Sequence, residues 1–238
     1  MRDALYIAAK APRAGFAKTR LGREIGHERA VAFYAAFLSD LAARFADAPF
    51  PLVWYVTPSD AWADVAPLVG AEAEQPDRVL DQGEGDWAER QGRLFRGAEA
   101  RGEERVVLMA SDSPHLPVAV VEGAFRELRR HDLVLGPVHD GGYYLVGMCP
   151  SAARHDVLGV PMSTATVLGD VVARAESLGL SVGRVAPTFD VDEAEDLERL
   201  RPLALACDDL PATRAAFSEA SGPPARAIPE ENHALQEV

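Results

Sequence analysis

The amino-acid sequence predicts an α/β fold in which a mainly parallel, mixed sheet carries helices on both faces. Short apolar runs alternate with longer segments whose apolar residues recur every three or four positions. The first pattern is typical of buried strands and the second of amphipathic helices, and their alternation indicates βαβ units. An Asp-Gly-Gly junction at residues 140–142 adds a hairpin signal, so one strand is expected to run antiparallel to its neighbours.

The first strand and helix are each marked by a local pattern. Residues 5–9 form an apolar run, which a Pro/Gly loop ends after Lys10. Residues 28–46 carry apolar side chains at three- and four-residue spacing, which predicts a helix with one buried face. The residues on that face are Val31, Tyr34, Leu38, Leu41 and Phe45.

A second strand is predicted at residues 52–56, where an apolar run ends at Thr57-Pro58. Residues 60–69 follow as a helix that Asp60 is placed to cap. The glycine-containing stretch 82–87 is expected to be a loop, followed by a helical segment to about residue 101.

The most apolar strand is predicted at residues 105–110, and residues 118–128 then show one apolar helical face. Two strands, at 133–138 and 143–148, flank the Asp-Gly-Gly junction.

The last predicted elements are a helix over residues 163–177, a strand over 181–186 and a helix that begins at Asp192. Acidic residues in the first turn of that last helix suit the helix dipole. From residue 218 onward the periodicity is lost and a Gly-Pro-Pro sequence appears. We therefore expect one domain over residues 1–217 and a C-terminal tail over 218–238.

Composition excludes several classes of function. The 238 residues carry a formal net charge of −13, which argues against a nucleic-acid partner. The two cysteines, Cys149 and Cys207, lie far apart and give no sign of a disulfide framework or a zinc site. No apolar run approaches the roughly 20 residues of a membrane helix, and no signal peptide is recognisable. We expect a cytoplasmic protein with no membrane partner.

A basic loop follows the first predicted strand, at the edge of the sheet where ligands bind in such folds. Lys10, Arg13, Lys18 and Arg20 place four positive charges within eleven residues of an acidic chain. This loop is typical of phosphate binding, although a solvated basic turn would account for the same residues. Its pattern is neither GxGxxG nor GxxxxGK[ST], so an ordinary dinucleotide fold or P-loop is not predicted.

Carboxylates mark a second group of candidate residues. Asp112 follows the strand at 105–110, where it could hold a divalent cation that bridges phosphates or could cap the next helix. Asp190 and Asp192 alternate along an extended backbone, so both could share that cation. An acidic helix start is the alternative for these two residues.

The Asp-Gly-Gly junction is the remaining candidate. Adjacent glycines at a strand start, Gly141 and Gly142, indicate either the close approach of another molecule or a hairpin turn. Asp140 could hydrogen-bond a sugar or an acceptor hydroxyl.

The basic loop, the segment with Asp112, the Asp-Gly-Gly junction and the segment with Asp190 and Asp192 follow one another along the chain. In this order they resemble the nucleotide-diphospho-sugar transferase superfamily, whose fold is called GT-A-like. The closer likeness is to small bacterial transferases described as radical-SAM/selenodomain-associated and often labelled glycosyltransferases. Similar loops occur in phospholactate guanylyltransferase and molybdenum-cofactor guanylyltransferase, which transfer a nucleotide. The resemblance covers roughly residues 4–200, and its matching stretches are 10–21 (K-x-P-x-x-G-x-x-K-T-R-L), 82–90, 111–114, 136–147 and 190–197.

The resemblance implies a role for individual residues. Those implied in nucleotide or phosphate binding are Lys10, Pro12, Gly15, Lys18, Arg20, Asp86 and Arg90. Those implied at the acceptor or sugar are Asp140, Gly141, Gly142, Ser163 and Thr164. The implied metal ligands are Asp112, Asp190 and Asp192. The catalytic candidates are Lys18, Asp112 and Asp140, with Asp140 as the base for an acceptor hydroxyl.

Two stretches depart from the family pattern. A segment like G-D-L-G-x-R-M contains Trp87, Ala88 and Gln91 at unmatched positions, and Met162 stands where Trp is expected. These departures concern the acceptor and base pockets more than the phosphate and metal sites.

Three functions follow as expectations. The first is an Mg²⁺- or Mn²⁺-dependent transferase with a nucleotide-diphospho-sugar donor, in which the metal bridges the diphosphate and Lys18 and Arg20 stabilise the departing nucleotide. The second is a nucleotidyltransferase that joins a nucleoside monophosphate unit from an NTP to a small phosphorylated acceptor and releases pyrophosphate. The third is a non-catalytic nucleotide-binding protein. In the two enzymatic cases the partners are a nucleotide and a small-molecule acceptor.

Overall fold

A computed structural model of the protein describes residues 2–70 and 78–220, and within them it shows a seven-stranded mixed sheet of order β3-β2-β1-β4-β6-β5-β7. The strands are β1 (Asp3–Lys10), β2 (Leu52–Thr57), β3 (Val79–Asp81), β4 (Arg105–Ala110), β5 (Leu133–Pro137), β6 (Tyr143–Met148) and β7 (Val182–Arg184).

The α-helices of the described residues are α1 (Thr19–Ile25), α2 (His27–Phe45), α3 (Trp62–Val65), α4 (Trp87–Arg96), α5 (Val118–Glu127), α6 (Pro150–Ala153), α7 (Val167–Ser177), α8 (Ala194–Ala206) and α9 (Pro211–Ala220). A 3-10 helix over Ala66–Val69 continues α3. In this part of the chain, no helix has both the length and the apolar character needed to cross a bilayer.

The sheet is parallel except at one strand. β1 pairs in parallel with β2 and β4, and the outer strands β3 and β7 also pair in parallel with their neighbours. β6 runs antiparallel to both β4 and β5. The reversal follows from the connection, since the few residues between β5 and β6 can form a hairpin but cannot form a crossover. The predicted antiparallel strand is confirmed.

Helices cover both faces of the sheet, as predicted. Along β1, Leu5 and Ile7 pack in one apolar cluster while Ala4 and Tyr6 pack in the other, because successive side chains of a strand point to opposite faces. Helices α2, α5, α8 and α9 contribute to the first cluster, and α4, α6 and α7 to the second. The predicted fold class is confirmed.

Several elements differ from the prediction. Helix α1 occupies part of the stretch interpreted as a loop, and β3, α6 and α9 were not predicted. Asp60 does not cap a helix: the N-cap of α3 is Ala61, and Asp60 pairs with Arg13 at 3.0 Å. The helix predicted from residue 163 begins at Val167.

The domain boundary at residue 217 stays a prediction. Helix α9 continues to Ala220, past the expected start of the tail. Residues 221–238 lie outside the described residues.

Candidate active site

A cavity of about 800 Å³ lies at the carboxyl ends of the parallel strands. Its wall includes residues from the loops after β1 and β4, the hairpin between β5 and β6, and the segments before α7 and α8. Among the predicted site residues, those that line it are Lys10, Lys18, Arg20, Arg90, Asp112, Asp140, Gly142, Ser163, Thr164, Asp190 and Asp192. Four predicted residues are not in its wall: Pro12, Gly15, Asp86 and Gly141.

Lys18 is the centre of the charged part of the cavity. It adopts a left-handed backbone conformation (φ 50°, ψ 46°) as the N-cap of α1. The ammonium lies 2.5 Å from Asp112 Oδ1 and 3.2 Å from Asp192 Oδ1, and it donates to the carbonyl of Val191 at 2.6 Å. The side chain is only 4% exposed. Burial acts to lower the pKa of Lys18, but the two carboxylates outweigh it and the pKa is raised.

Asp190 lies close to Asp112 in the same wall. Its Oδ1 accepts a hydrogen bond from Ser113 Oγ at 2.6 Å, and the hydroxyl of Ser113 also lies 3.0 Å from the carbonyl of Phe189. Burial and the negative charge of Asp112 raise the pKa of Asp190 to about 7. A cation beside these two carboxyl groups would offset the repulsion that Asp190 experiences from Asp112.

The three aspartates do not fit a metal ion equally well. Among the described residues, no group of three or more His, Cys, Asp or Glu side chains is arranged to hold a metal ion. Asp192 has one oxygen on Lys18 and the other 3.6 Å from Arg20, so both are engaged by cations. Asp112 and Asp190 each have a second oxygen that forms no hydrogen bond or ion pair with a described residue. Mg²⁺ uses one or two protein carboxylates together with phosphate oxygens, and these two residues fit that requirement.

The other cations of the basic loop separate into two roles. Lys10 and Arg20 are exposed at the cavity. Arg13 lies apart from the cavity and pairs with Asp60 and Asp64, which anchors the loop to the segment around α3. Of the four basic residues that suggested phosphate binding, Arg13 therefore has a structural role.

Arg90 is held at the cavity wall by neutral groups. Its side chain donates to the carbonyl of Gly85 at 2.8 Å and to the hydroxyl of Thr57 at 3.1 Å. Asp86, which the resemblance paired with it, instead caps α4: its carboxylate accepts the N–H of Glu89 at 2.9 Å, and the Glu89 side chain accepts the N–H of Asp86. The structure gives Asp86 a role in starting the helix that carries Arg90.

The two glycines of the hairpin have different surroundings. Gly141 has φ +90°, and a Cβ there would collide with the carbonyl of Ala165. The chain itself, rather than a ligand, therefore requires glycine at 141. Gly142 does line the cavity, and its N–H donates to Asp140 Oδ1 at 3.0 Å. Asp140 thus shapes its own turn and remains exposed beside the cavity.

Sequence reasoning missed Tyr34 as a site residue. It was placed on the apolar face of a helix, yet it lines the cavity with its hydroxyl 2.9 Å from Ser111 Oγ. The hydroxyl oxygen also accepts the N–H of Lys10 at 2.9 Å. A tyrosine on an apolar face needs a polar partner, and that requirement was the available signal.

The departures from the family pattern meet in one place. Tyr143 donates to Gln91 Oε1 at 3.0 Å, and Gln91 Nε2 lies 3.9 Å from Met162 Sδ. Trp87, Tyr143 and Met162 line the cavity on this side, while Gln91 is buried behind them. Three of the four unmatched residues, Trp87, Gln91 and Met162, therefore lie in or directly behind this part of the cavity wall.

Comparison with solved structures identifies close relatives of this fold. A protein from Desulfovibrio desulfuricans G20, described as a candidate nucleotide-diphospho-sugar transferase, is 27% identical, with a TM-score of 0.81, and the match covers 92% of this chain and 97% of that one. The resemblance to the nucleotide-diphospho-sugar transferase superfamily is confirmed.

Two more distant structures share the fold. A CMP:2-keto-3-deoxy-manno-octonic acid synthetase complexed with CTP is 10% identical, with a TM-score of 0.57 over 87% of this chain and 99% of that one. Rv0371c from Mycobacterium tuberculosis H37Rv, in complex with manganese, is 16% identical, with a TM-score of 0.50 over 84% and 98%.

Sequence comparison gives one family and no curated relative. The family model described as "Uncharacterized protein conserved in bacteria (DUF2064)" matches residues 38–164. No curated protein matches the chain.

Proposed function

The chain belongs to the DUF2064 family of bacterial proteins, and we propose that it is a transferase whose donor is a nucleotide-diphospho-sugar. The observation that carries the proposal is the convergence of Lys18, Asp112 and Asp190 on one cavity at the carboxyl ends of the strands. The likeness to the D. desulfuricans protein supports a nucleotide-sugar donor. The cavity volume of about 800 Å³ lies in the range of cofactor and ligand sites.

Lys18 would stabilise the negative charge that develops on the departing nucleotide. Its raised pKa keeps the ammonium protonated at neutral pH, and its contacts with Asp112 and Val191 fix its position before substrate binds. A preoriented cation in a partly enclosed site stabilises a developing charge without reorganising. Arg20, which is exposed at the cavity, would add a second cation.

Asp140 would accept the proton of the acceptor hydroxyl. It is exposed and lines the cavity. It follows β5, whereas Lys10 ends β1, and the central strand β4 lies between these two parts of the sheet. Gly142, Ser163 and Thr164 line the adjoining wall and would position the acceptor.

A divalent cation, Mg²⁺ or Mn²⁺, would be held by Asp112 and Asp190, whose free oxygens fit it. When bound, the cation neutralises charge on the diphosphate. The manganese complex of Rv0371c, which shares the fold, supports this part of the proposal. We assign Asp192 to holding Lys18 and Arg20 rather than to the metal.

Nucleotidyl transfer is the second candidate. The synthetase complexed with CTP shares the fold, and the same cationic loop could stabilise attack at an α-phosphorus. The two reactions release different products: pyrophosphate from an NTP, or a nucleoside diphosphate from a nucleotide-sugar.

We propose that either reaction takes place in the cytoplasm, which the cysteine usage favours. No nucleic-acid or membrane partner is proposed, because the chain carries a net charge of −13.

The test is a thermal-shift panel of NTPs and nucleotide-sugars, each with Mg²⁺, Mn²⁺ or EDTA, followed by product analysis with the ligand that stabilises most. A ligand at 100 times its Kd adds about 2.7 kcal/mol to the stability of the folded state. We expect metal-dependent stabilisation by a nucleotide-sugar and release of a nucleoside diphosphate. Stabilisation by an NTP with pyrophosphate release would favour nucleotidyl transfer, and stabilisation without turnover would favour a binding protein.

Asp112→Asn tests the site directly. The substitution keeps the side-chain volume but removes the charge, so we expect a folded protein with turnover reduced at least 100-fold. The matched control is Asp47→Asn, which should retain full activity, because Asp47 is exposed, lies just after the carboxyl end of α2 and does not line the cavity. Full activity of folded Asp112→Asn would overturn the assignment.

A further inference from the structure

Two buried hydroxyl groups in the cavity wall, those of Tyr34 and Ser111, take no part in the mechanism above. Tyr34 projects from α2, and Ser111 directly follows β4. Each residue is 3% exposed, and the two hydroxyl oxygens are 2.9 Å apart, so one hydroxyl donates to the other. The pair therefore bridges a helix and the sheet edge at the site.

The pair has one proton more than it can use internally. Two hydroxyls carry two protons, and the bond between them uses one. The N–H of Lys10 donates to the Tyr34 oxygen at 2.9 Å, which occupies a lone pair and takes up no proton. Among the described residues, neither hydroxyl has any further acceptor. In either orientation of the bond, one O–H is left to donate elsewhere.

The remaining acceptor must lie in the cavity, because both residues line it. Leaving a buried O–H without an acceptor is unfavourable, so a ligand that offers an oxygen there gains relative to one that does not. Lys10 and Lys18 line the same cavity. Their ammonium groups attract an anionic oxygen, while the carboxylate of Asp112, which also acts on Tyr34, opposes it until a cation or Lys18 neutralises that charge.

We propose that the Tyr34–Ser111 pair donates one hydrogen bond to a phosphate oxygen of the bound nucleotide. The inference rests on the proposed function, because it takes the ligand to be a nucleotide. It adds a neutral donor to the cations of the site. It also assigns a binding role to a tyrosine whose spacing is that of a core residue.

The experiment measures the affinity for inorganic pyrophosphate with Mg²⁺ by calorimetry, in the wild type, Tyr34→Phe, Ser111→Ala and the double variant. A hydrogen bond to a charged group corresponds to roughly 10- to 100-fold in affinity, and we expect that loss in the double variant. The matched control is Tyr144→Phe. Tyr144 is a buried tyrosine outside the cavity wall, and its hydroxyl donates to the carbonyl of Ala186 at 2.7 Å. The affinity of the Tyr144→Phe variant for pyrophosphate should therefore stay within about twofold of wild type.

The pair supplies a single donor to the ligand, so the two substitutions should not be additive. We expect the double variant to bind about as weakly as the weaker single variant. A loss equal to the product of the two single losses would contradict one shared donor. Wild-type affinity in the double variant would overturn the proposal.

A crystal structure with pyrophosphate and Mg²⁺ tests the contact without any variant, should Tyr34→Phe fail to fold. We expect a phosphate oxygen within about 3.2 Å of one of the two hydroxyls. Phosphate bound elsewhere in the cavity would overturn this proposal alone. A wild-type protein that binds neither pyrophosphate nor any nucleotide would overturn the proposed function as well.

Discussion

Lys18 is a buried cation that two carboxylates and a carbonyl hold in place, and its removal should affect stability as well as binding. Lys18→Met leaves Asp112 and Asp192 without their ammonium partner. These carboxylates are 34% and 42% exposed, so water compensates part of the loss and we expect a destabilisation of about 1–3 kcal/mol. Urea unfolding measures it, and calorimetry with pyrophosphate should show weaker binding.

Lys10→Met is the control for that variant. Lys10 lines the same cavity, but its side chain is exposed and forms no ion pair with a described residue. Its removal should weaken pyrophosphate binding while changing stability by less than about 0.5 kcal/mol. Equal stability losses in the two variants would contradict a special role for the buried ammonium.

His115 should make stability depend on pH. Burial, and then the positive charges of Arg44 and Arg199, lower its pKa to about 4 from an ordinary value of 6.5. Between these pH values the unfolded chain binds a proton that the folded chain does not, so stability falls as pH falls from 6.5 towards 4. The full effect is about 3 kcal/mol.

The measurement is the difference between wild type and His115→Gln in urea unfolding at pH 7.5, 6 and 5. The comparison with a variant is needed because Asp190, whose pKa is raised to about 7, has the opposite effect on the pH dependence. Its contribution to the stability of the folded protein falls as pH rises. We expect the variant to lose less stability than wild type between pH 7.5 and 5. Parallel pH profiles would show that folding does not lower the pKa of His115.

At the scale of the element, α9 depends on a carboxylate from α2. Buried Asp40 accepts the N–H groups of Ala212 and Thr213 at 2.9 and 2.8 Å, which caps the first turn of α9. Asp40→Ala removes both acceptors, and we expect a loss of about 2–3 kcal/mol in the free energy of unfolding. Exposed Asp47→Ala should cost less than about 0.5 kcal/mol in the same guanidinium titration. A similarly small cost at Asp40 would mean that α9 docks without its cap.

The elements that the sequence predicts well are those with strong periodicity. The long helix α2 and the apolar strands β1 and β4 have enough residues for a repeating pattern. Strand β3 has three residues and α6 has four, which is too few for any period to be visible. Helix α1 was missed because its start is a left-handed Lys18 rather than a recognisable cap.

The site could be predicted in part for a similar reason. Loops at strand ends gather at one edge, so Asp112 and Lys18 could be placed there without coordinates. Which groups pair could not be predicted, because the partners Lys18 and Asp192 are far apart in sequence. The sequence also does not show whether a glycine is required by a ligand or by another part of the chain. At Gly141 it is the backbone of Ala165 that comes close.

At the scale of the whole molecule, the two apolar clusters lie on opposite faces of one sheet and share its strands. Unfolding one face would expose the strands that the other face needs, so we expect a single cooperative transition for the described domain. Trp54 belongs to the first cluster and Trp87 packs against the second. Thermal unfolding followed by tryptophan fluorescence and by far-ultraviolet circular dichroism should therefore coincide. Two separated transitions would contradict this view.

The reversal of β6 has a consequence for how the site comes together during folding. Because β5 and β6 form a hairpin, the wall around Asp140 and Ser163 is drawn from one short stretch of chain. The opposite wall joins Lys18, Asp112 and Asp190, whose meeting requires the ends of long loops to close. The proposed acceptor side can thus form from local contacts, whereas the proposed phosphate side exists only once the whole sheet is in register. An incompletely folded chain would present only half of the cavity wall, so we expect ligand binding at this cavity to report the completion of the fold.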